Sequence, residues 1–396
     1  MPQTMKQNSL MDDFAHFKVC QPDNSETPSQ QEDDFPTPTA FRLGIVGVGQ
    51  CGNNMAAMFH EIGYRRVLAV NTAITDLESV SEPVEKLLIG NNGAGKNPEV
   101  GRKSVDAKTT KIRTTMSRLF EGKVKKIVVC MGLGGGTGSG GGPEVVKIAQ
   151  DLVREWGGNP EQDVIAIATL PEALIEGNRV CHNALCAYRE LEKLKVPRLY
   201  VDNAKMRKDV VSTTFGSKWQ RMNKWVAKTF HEFNVYAAKK SELGVFDGQD
   251  MNDVLSRGRF IFSAIPVETL DDKFVIGDVI ARYLERTLFT KMNLKTAEAA
   301  GCLMILNEPV VEERSQSELH SAFIELNHMM KPDSTLHRGI YVEKFPAPKK
   351  GDRSYDLICY VMLGGLDHPW ETLEQLFAQA KTISEEHGTL SAYLVG

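Results

Sequence analysis

Short apolar runs alternate with helical patterns along the first half of the chain. The spacing predicts a strand over 41–48 and a helix over 53–62, then a second strand over 66–70. KIVVC at 126–130 reads as a buried strand. Residues 143–153, apolar at three- and four-residue steps, read as a helix. Further strands at 163–169 and 197–202 flank a helix over 179–194. The longest helical pattern runs over 216–240, where Trp219, Met222, Val226, Phe230, Phe233 and Ala237 form an apolar face that Trp225 and Tyr236 widen. At about 1.5 Å per residue such a helix spans about 37 Å, enough to link two domains. Beyond it, strands at 260–267, 301–307, 339–345 and 355–363 mix with helices at 272–288, 317–329 and 370–386, with a hairpin turn at 346–352.

This pattern predicts an α/β chain. Residues 1–40 are an acidic tail of disordered composition, with room for a short helix over 11–19 that would form on a partner. Residues 41–215 form a first domain, 216–241 a central helix, and 242–396 a smaller C-terminal α/β domain.

Composition narrows the class. Apolar residues make up 42% and charged residues 25% of 396, as in soluble globular proteins. No apolar stretch reaches membrane-spanning length and no leader core is visible, so neither membrane nor secretion is expected. The seven cysteines are scattered and odd in number, which suits a reducing cytoplasm. Cys181, His182 and Cys186 lack a second cluster to complete a metal site. Of the net charge of −4, the tail carries more than all, leaving a near-neutral body that gives no support for strong direct nucleic-acid binding.

The chemistry lies in glycine. Residues 131–142 read MGLGGGTGSGGG, tightly between a predicted strand and a predicted helix. Bare N–H groups at a helix N-terminus make an anion site, and Thr137 and Ser139 add hydroxyls, so the stretch reads as a phosphate cradle. It lacks the G-K-[ST] ending of a P-loop. GVGQCG at 47–52 is formally a dinucleotide fingerprint, but the second strand runs into Asn71 where that fingerprint needs an acid, and a dehydrogenase has no use for a second cradle.

GGGTGSG at 134–140 resembles the phosphate loop of the tubulin/FtsZ superfamily, and the likeness continues in order along 41–396. GQCGNN at 49–54 is similar to the first tubulin loop, VNTAITDL at 70–77 to the next, and GAGKNPEVGR at 93–102 to the FtsZ γ-phosphate loop with Lys96 as the unusual member. VDNAK at 201–205 resembles the TubZ branch. The resemblance implies a Rossmann-like GTP-binding domain joined by the central helix to the smaller one. It implies GTP/GDP and Mg2+ as cofactors, held by Gly49, Gln50, Cys51, Asn53, Asn71, Thr72, Ala94, Gly95, Lys96, Asn97, Gly134, Gly135, Gly136, Thr137, Gly138, Ser139 and Asn203. Glu176 and Arg179 would meet ribose and phosphate, though they stand three apart where FtsZ spaces them four, and Asn223 would read guanine. Asp247 and Asp250 resemble the acidic loop that reaches the nucleotide of the next subunit, with Val245 where FtsZ has Asn and Asp253 continuing the spacing. The implied function is a GTPase that polymerises head-to-tail and hydrolyses GTP between subunits. Plasmid or phage DNA segregation through a DNA-binding adaptor leads. A phage spindle, a cell-division filament and a GTP-binding scaffold without hydrolysis are the alternatives. A TubZ-type basic tail is absent from 394–396.

Overall fold

The computed structural model describes residues 38–81, 83–205, 215–268, 276–287, 289–313, 316–346 and 355–395. The predicted acidic tail up to 37, the start of the helix placed at 272, and most of the turn at 346–352 lie outside these residues.

Among the described residues, ten strands form one sheet. β1 (Leu43–Val48), β2 (Val67–Asn71), β3 (Glu85–Leu88), β4 (Lys126–Gly132), β5 (Val164–Leu170) and β6 (Arg198–Asp202) pair in parallel in the order β3-β2-β1-β4-β5-β6. Period-two alternation divides their side chains between two cores. Ile45, Val128 and Ile165 face one, and Val46, Val129 and Ala166 the other. On the first face lie α1 (Gly49–Glu61), α2 (Ile74–Glu78) and the central helix α7 (Phe215–Tyr236), which buries Met222, Phe230 and Phe233. On the second lie α3 (Pro98–Phe120), α4 (Thr137–Glu155), α5 (Ala173–Glu176) and α6 (Asn178–Glu192).

Two helix starts differ from the sequence reading. α1 begins at Gly49 and α4 at Thr137, so the later glycines of both motifs are helical. The reason is packing. A Cβ on Gly140 would lie 1.8 Å from the Pro98 carbonyl oxygen, and one on Gly52 would lie 2.2 Å from that of Cys130. Bare backbone lets α3 and α4, and α1 and β4, approach this closely.

After α8 (Gly248–Ser256), β7 (Arg259–Glu268) joins β6 through only two register pairs, Arg198↔Arg259 and Leu199↔Phe260. The short seam is riveted by Glu192, which accepts from Arg198 Nε at 3.0 Å, from the Tyr200 hydroxyl at 2.7 Å and from Arg259. Beyond β7, α9 (Ile276–Thr287), β8 (Ala299–Asn307), α10 (Glu308–Glu313), α11 (Gln316–Met329), β9 (Thr335–Glu343) and β10 (Tyr355–Gly364) complete the second half, in sheet order β7-β10-β8-β9. The predicted helix over 370–386 breaks at Ala380 into α12 (Trp370–Gln379) and α13 (Lys381–His387), followed by α14 (Leu390–Val395). These helices pack against α6 in the first half rather than on the second. Leu373, Leu376 and Tyr393 join its core, and Thr372 donates to Asp202 at 2.6 Å.

Candidate functional site

The C-terminal ends of β1, β2, β4 and β5 open into a cleft of about 400 Å3. Of the residues singled out from sequence, Gly49, Gln50, Cys51, Asn71, Thr72, Ala94, Gly95, Lys96, Gly134, Gly135, Gly136, Thr137, Gly138, Glu176 and Asn203 line it. α4 starts at its floor with no side-chain cap, so its first N–H groups point at the cleft, the arrangement that holds anions. A Cβ at Gly136 would meet that of Ala94 at 2.7 Å, whereas one at Gly135 would meet nothing within 4 Å. The chain thus presents bare backbone where a phosphate can approach. Gly95 (φ +55°) and Lys96 (φ +58°) are left-handed in succession, an unfavourable setting for lysine.

Side chains lock the loops to one another. The Thr72 and Thr137 hydroxyls share a 2.7 Å hydrogen bond, and Asn71 Oδ1 accepts from the Thr72 N–H at 2.8 Å. Burial pushes the Cys51 thiol up, so it is no thiolate nucleophile. Asn183 on α6 donates to the Lys96 carbonyl at 2.9 Å and reaches those of Gly134 and Gly135 at 3.3 Å. It ties two phosphate loops together, and nothing in the spacing marks it. Asp76, Thr169 and Val180 line the cleft without having been singled out.

Five candidates stand elsewhere. Asn53 is buried behind the cleft wall, and neither of its amide atoms has a hydrogen-bond partner among the described residues. Asn97 caps α3 by accepting from Glu99 N–H at 3.1 Å. Ser139 turns back to its own helix, onto the Gly135 and Gly136 carbonyls. Arg179 is exposed on the first turn of α6. Asn223 does not line the cleft. Its neighbour Lys224 reaches Glu61 at the far end of α1, whose start forms the cleft wall.

The acids occupy another place. Asp247 caps α8, its Oδ1 accepting from the N–H groups of Gln249 (2.7 Å) and Asp250 (3.0 Å), while Asp250 Oδ2 accepts from Asp247 N–H at 3.0 Å. Asn252, one turn on, accepts from Lys126 Nζ at 2.7 Å. Lys126 opens β4, and Gly132, which closes it, lines the cleft. Six steps at about 3.3 Å put roughly 20 Å of strand between the anchor of α8 and the cleft. Lys126 also bonds Asp163 at 3.1 Å; burial pushes that carboxyl up, but Lys126 and the Asn159 N–H outweigh it and hold it below the usual range.

Residues 42–210 match the Tubulin/FtsZ family, GTPase domain. The chain belongs to the tubulin/FtsZ superfamily. The protein is a GTPase that binds GTP and GDP in this domain. It is 26% identical to the tubulin-like protein CetZ of Pyrococcus furiosus, over 87% of this chain and 91% of that one. It is 32% identical to the cell division protein FtsZ of Helicobacter pylori, over 49% of this chain and 48% of that one. In fold it is similar to TubZ of Bacillus thuringiensis serovar israelensis in a GTPγS-form protofilament, with a TM-score of 0.73 at 20% identity, covering 90% of this chain and 95% of that one. CetZ2 of Haloferax volcanii, in a GTPγS-bound protofilament, gives 0.70 at 20%, covering 88% and 100%. Filament formation is thus a property of its relatives. Among the described residues no helix is long and apolar enough to cross a membrane, and no group of three or more His, Cys, Asp or Glu side chains is arranged to hold a metal ion by itself.

Proposed function

We propose that this GTPase polymerises head-to-tail and hydrolyses GTP only where Asp247 and Asp250 of one subunit meet the cleft of the next. The supporting observation is the separation just described: α8 is anchored at the start of β4 and the cleft lies at its end. Stacking along the strand direction brings the two together, and such a heterologous contact continues into a filament. The phosphates would lie on the N–H groups of α4 and the turn at 93–96. Asp76, a carboxylate in the cleft lining, fits the one-or-two-carboxylate pattern by which Mg2+ joins triphosphates, and the ion would supply charge neutralisation there. Asp247 would orient the attacking water.

The test is GTP turnover per molecule against protein concentration. It should rise steeply above a threshold, and Asp247→Ala should keep GTP affinity, lose turnover and give persistent filaments. Flat turnover from nanomolar to micromolar protein would mean a site complete in one chain. Normal filaments with no turnover in the wild type would mean a scaffold.

For the cargo, we propose plasmid or phage DNA held through a DNA-binding adaptor in the cytoplasm. The support is VDNAK at 201–205 and the fold shared with a protein described as type III plasmid segregation TubZ, at a TM-score of 0.68 and 19% identity. Loss of a low-copy plasmid on deletion of the gene would support this; defective septation instead would favour a division filament.

A further inference from the structure

The acidic start of α8 is held from the side by one face of β9. Residues two apart in a strand share a face, so His337, Gly339 and Tyr341 point the same way. The segment before α8 is pinned to them. Gly244 accepts from the Ile340 N–H at 3.1 Å. The Phe246 side chain fills a slot kept open by Gly339 and Gly301, where a Cβ on Gly339 would come within 3.0 Å of the Phe246 Cβ and one on Gly301 within 2.7 Å of its ring. The Phe246 N–H donates to the Tyr341 hydroxyl at 3.1 Å.

His337 completes this platform. Its Nδ1 lies 2.8 Å from Asp250 Oδ1 and its Nε2 lies 2.9 Å from Asp253 Oδ2. Both carboxylates thus grip one ring, which donates to both in its doubly protonated form. Asp253 takes a second bond from Arg257 at 2.8 Å. Burial pushes the Asp253 carboxyl up, but the His337 and Arg257 bonds outweigh it and hold it below its usual value. Asp250 has both oxygens engaged, one by His337 and one by the Asp247 N–H. Asp247 uses Oδ1 for the cap and is exposed, with no hydrogen bond to Oδ2 among the described residues.

We infer that His337 is a positioning residue for GTP hydrolysis: by holding Asp250 it fixes the backbone and the outward carboxylate of Asp247 for the next subunit's nucleotide. This rests on the reading that these acids act across the subunit contact. The helix itself does not need His337, because the reciprocal cap between Asp247 and Asp250 already satisfies its first turn. The ring's effect is therefore on aim. Misplacement of a catalytic group by about 1 Å costs on the order of a hundredfold.

The experiment measures GTP affinity, threshold concentration and turnover at saturating protein for full-length His337→Ala, Asp250→Ala and the double variant. His337→Ala should lose about tenfold to a hundredfold in turnover with GTP affinity unchanged. In the Asp250→Ala background the same substitution should add nothing, and added imidazole should restore part of the loss in His337→Ala alone. His337→Gln, which offers one amide for two carboxylates, should fall between and keeps the test open should the alanine variant fold poorly. Multiplicative losses in the double variant, or a loss confined to threshold and melting temperature, would overturn the role. Wild-type turnover in Asp250→Ala would sink the cross-subunit reading itself. Wild-type turnover in His337→Ala beside a defective Asp250→Ala would overturn the positioning role alone.

Discussion

The two ends of the parallel sheet are built on opposite principles. At the C-terminal end the working groups are backbone: uncapped N–H donors of α4, glycines stripped of Cβ, and a left-handed turn at 95–96. At the N-terminal end they are side chains already satisfied by one another. Lys126 bonds Asp163, Asn252 and the Gln162 carbonyl, while His337 joins Asp250 to Asp253. One end leaves donors waiting for an anion; the other turns a carboxylate outward. On the proposed reading, an unpaired donor end and a carboxylate end on one sheet would complement each other between copies, not within one.

The sharpest way to break that comparison is to divide the two ends between two variants. Asp247→Ala should lose about a hundredfold to ten-thousandfold in turnover, the range of a positioned acid–base group. Thr137→Ala removes the hydroxyl that joins two phosphate loops and should bind GTP poorly. Mixed, the pair should recover part of the turnover, because some contacts then match an intact cleft with intact acids. Recovery no greater than the sum of the separate activities would place both ends in one subunit.

The seam between the halves ranks next. Glu192 faces Arg198 and Arg259 where only two residue pairs join β6 to β7. Burial pushes its carboxyl up, yet the two guanidinium groups outweigh that and hold it below its usual value. Its stabilisation is therefore full above the ordinary carboxylate range and is lost as pH falls through the lowered value. Glu192→Ala strands one buried and one partly buried cation and should cost about 3–5 kcal/mol in urea unfolding at neutral pH. A cost under about 1 kcal/mol, that of an exposed pair, would mean the seam is held by its strands alone.

Within the cleft end, the glycines separate into structural and open ones. Gly140→Ala drives a methyl into the Pro98 carbonyl and should destabilise by about 1–3 kcal/mol as α3 moves off α4. Gly135→Ala meets nothing within 4 Å, so it should melt like the wild type while weakening GTP. Equal melting losses in the two would remove the distinction.

That distinction marks how far the sequence is legible. GGGTGSG announces bare backbone between strand and helix, and its position is right. Glycine is ambiguous between turning and close packing, so the start of α4 is read six residues late, and α3, the partner demanding that closeness, goes unread. Asn183 and His337 carry no local mark, since each works through residues about fifty to ninety positions away. The helical stretch over 370–386 is legible as helix and α14 goes unread, and an apolar face does not say which half it will cover. Asn223 reads well by resemblance and stands off the cleft, while Asn203 lines it.

The smallest net effect in the wild type lies on α7, where two opposed titrations cancel. Burial, with Lys228 nearby, lowers His231 to about 4. Burial raises the next residue, Glu232, to about 7, with Lys228 and Lys239 opposing and Glu343 adding to the rise. The signs oppose. The unfolded chain protonates His231 first, so its contribution falls as pH drops from about 6.5 to about 4. The folded chain holds the Glu232 proton longer, so its contribution falls as pH rises from about 4.5 to about 7. Across the overlap the two slopes, each at most about 1.4 kcal/mol per pH unit, cancel. Glu232→Gln should therefore gain stability over the wild type increasingly as pH rises toward 7, whereas His231→Gln should gain increasingly as pH falls toward 4. Urea midpoints for wild type and both variants at half-unit steps check this. Stability differences that do not vary with pH would mean neither group changes its proton affinity on folding.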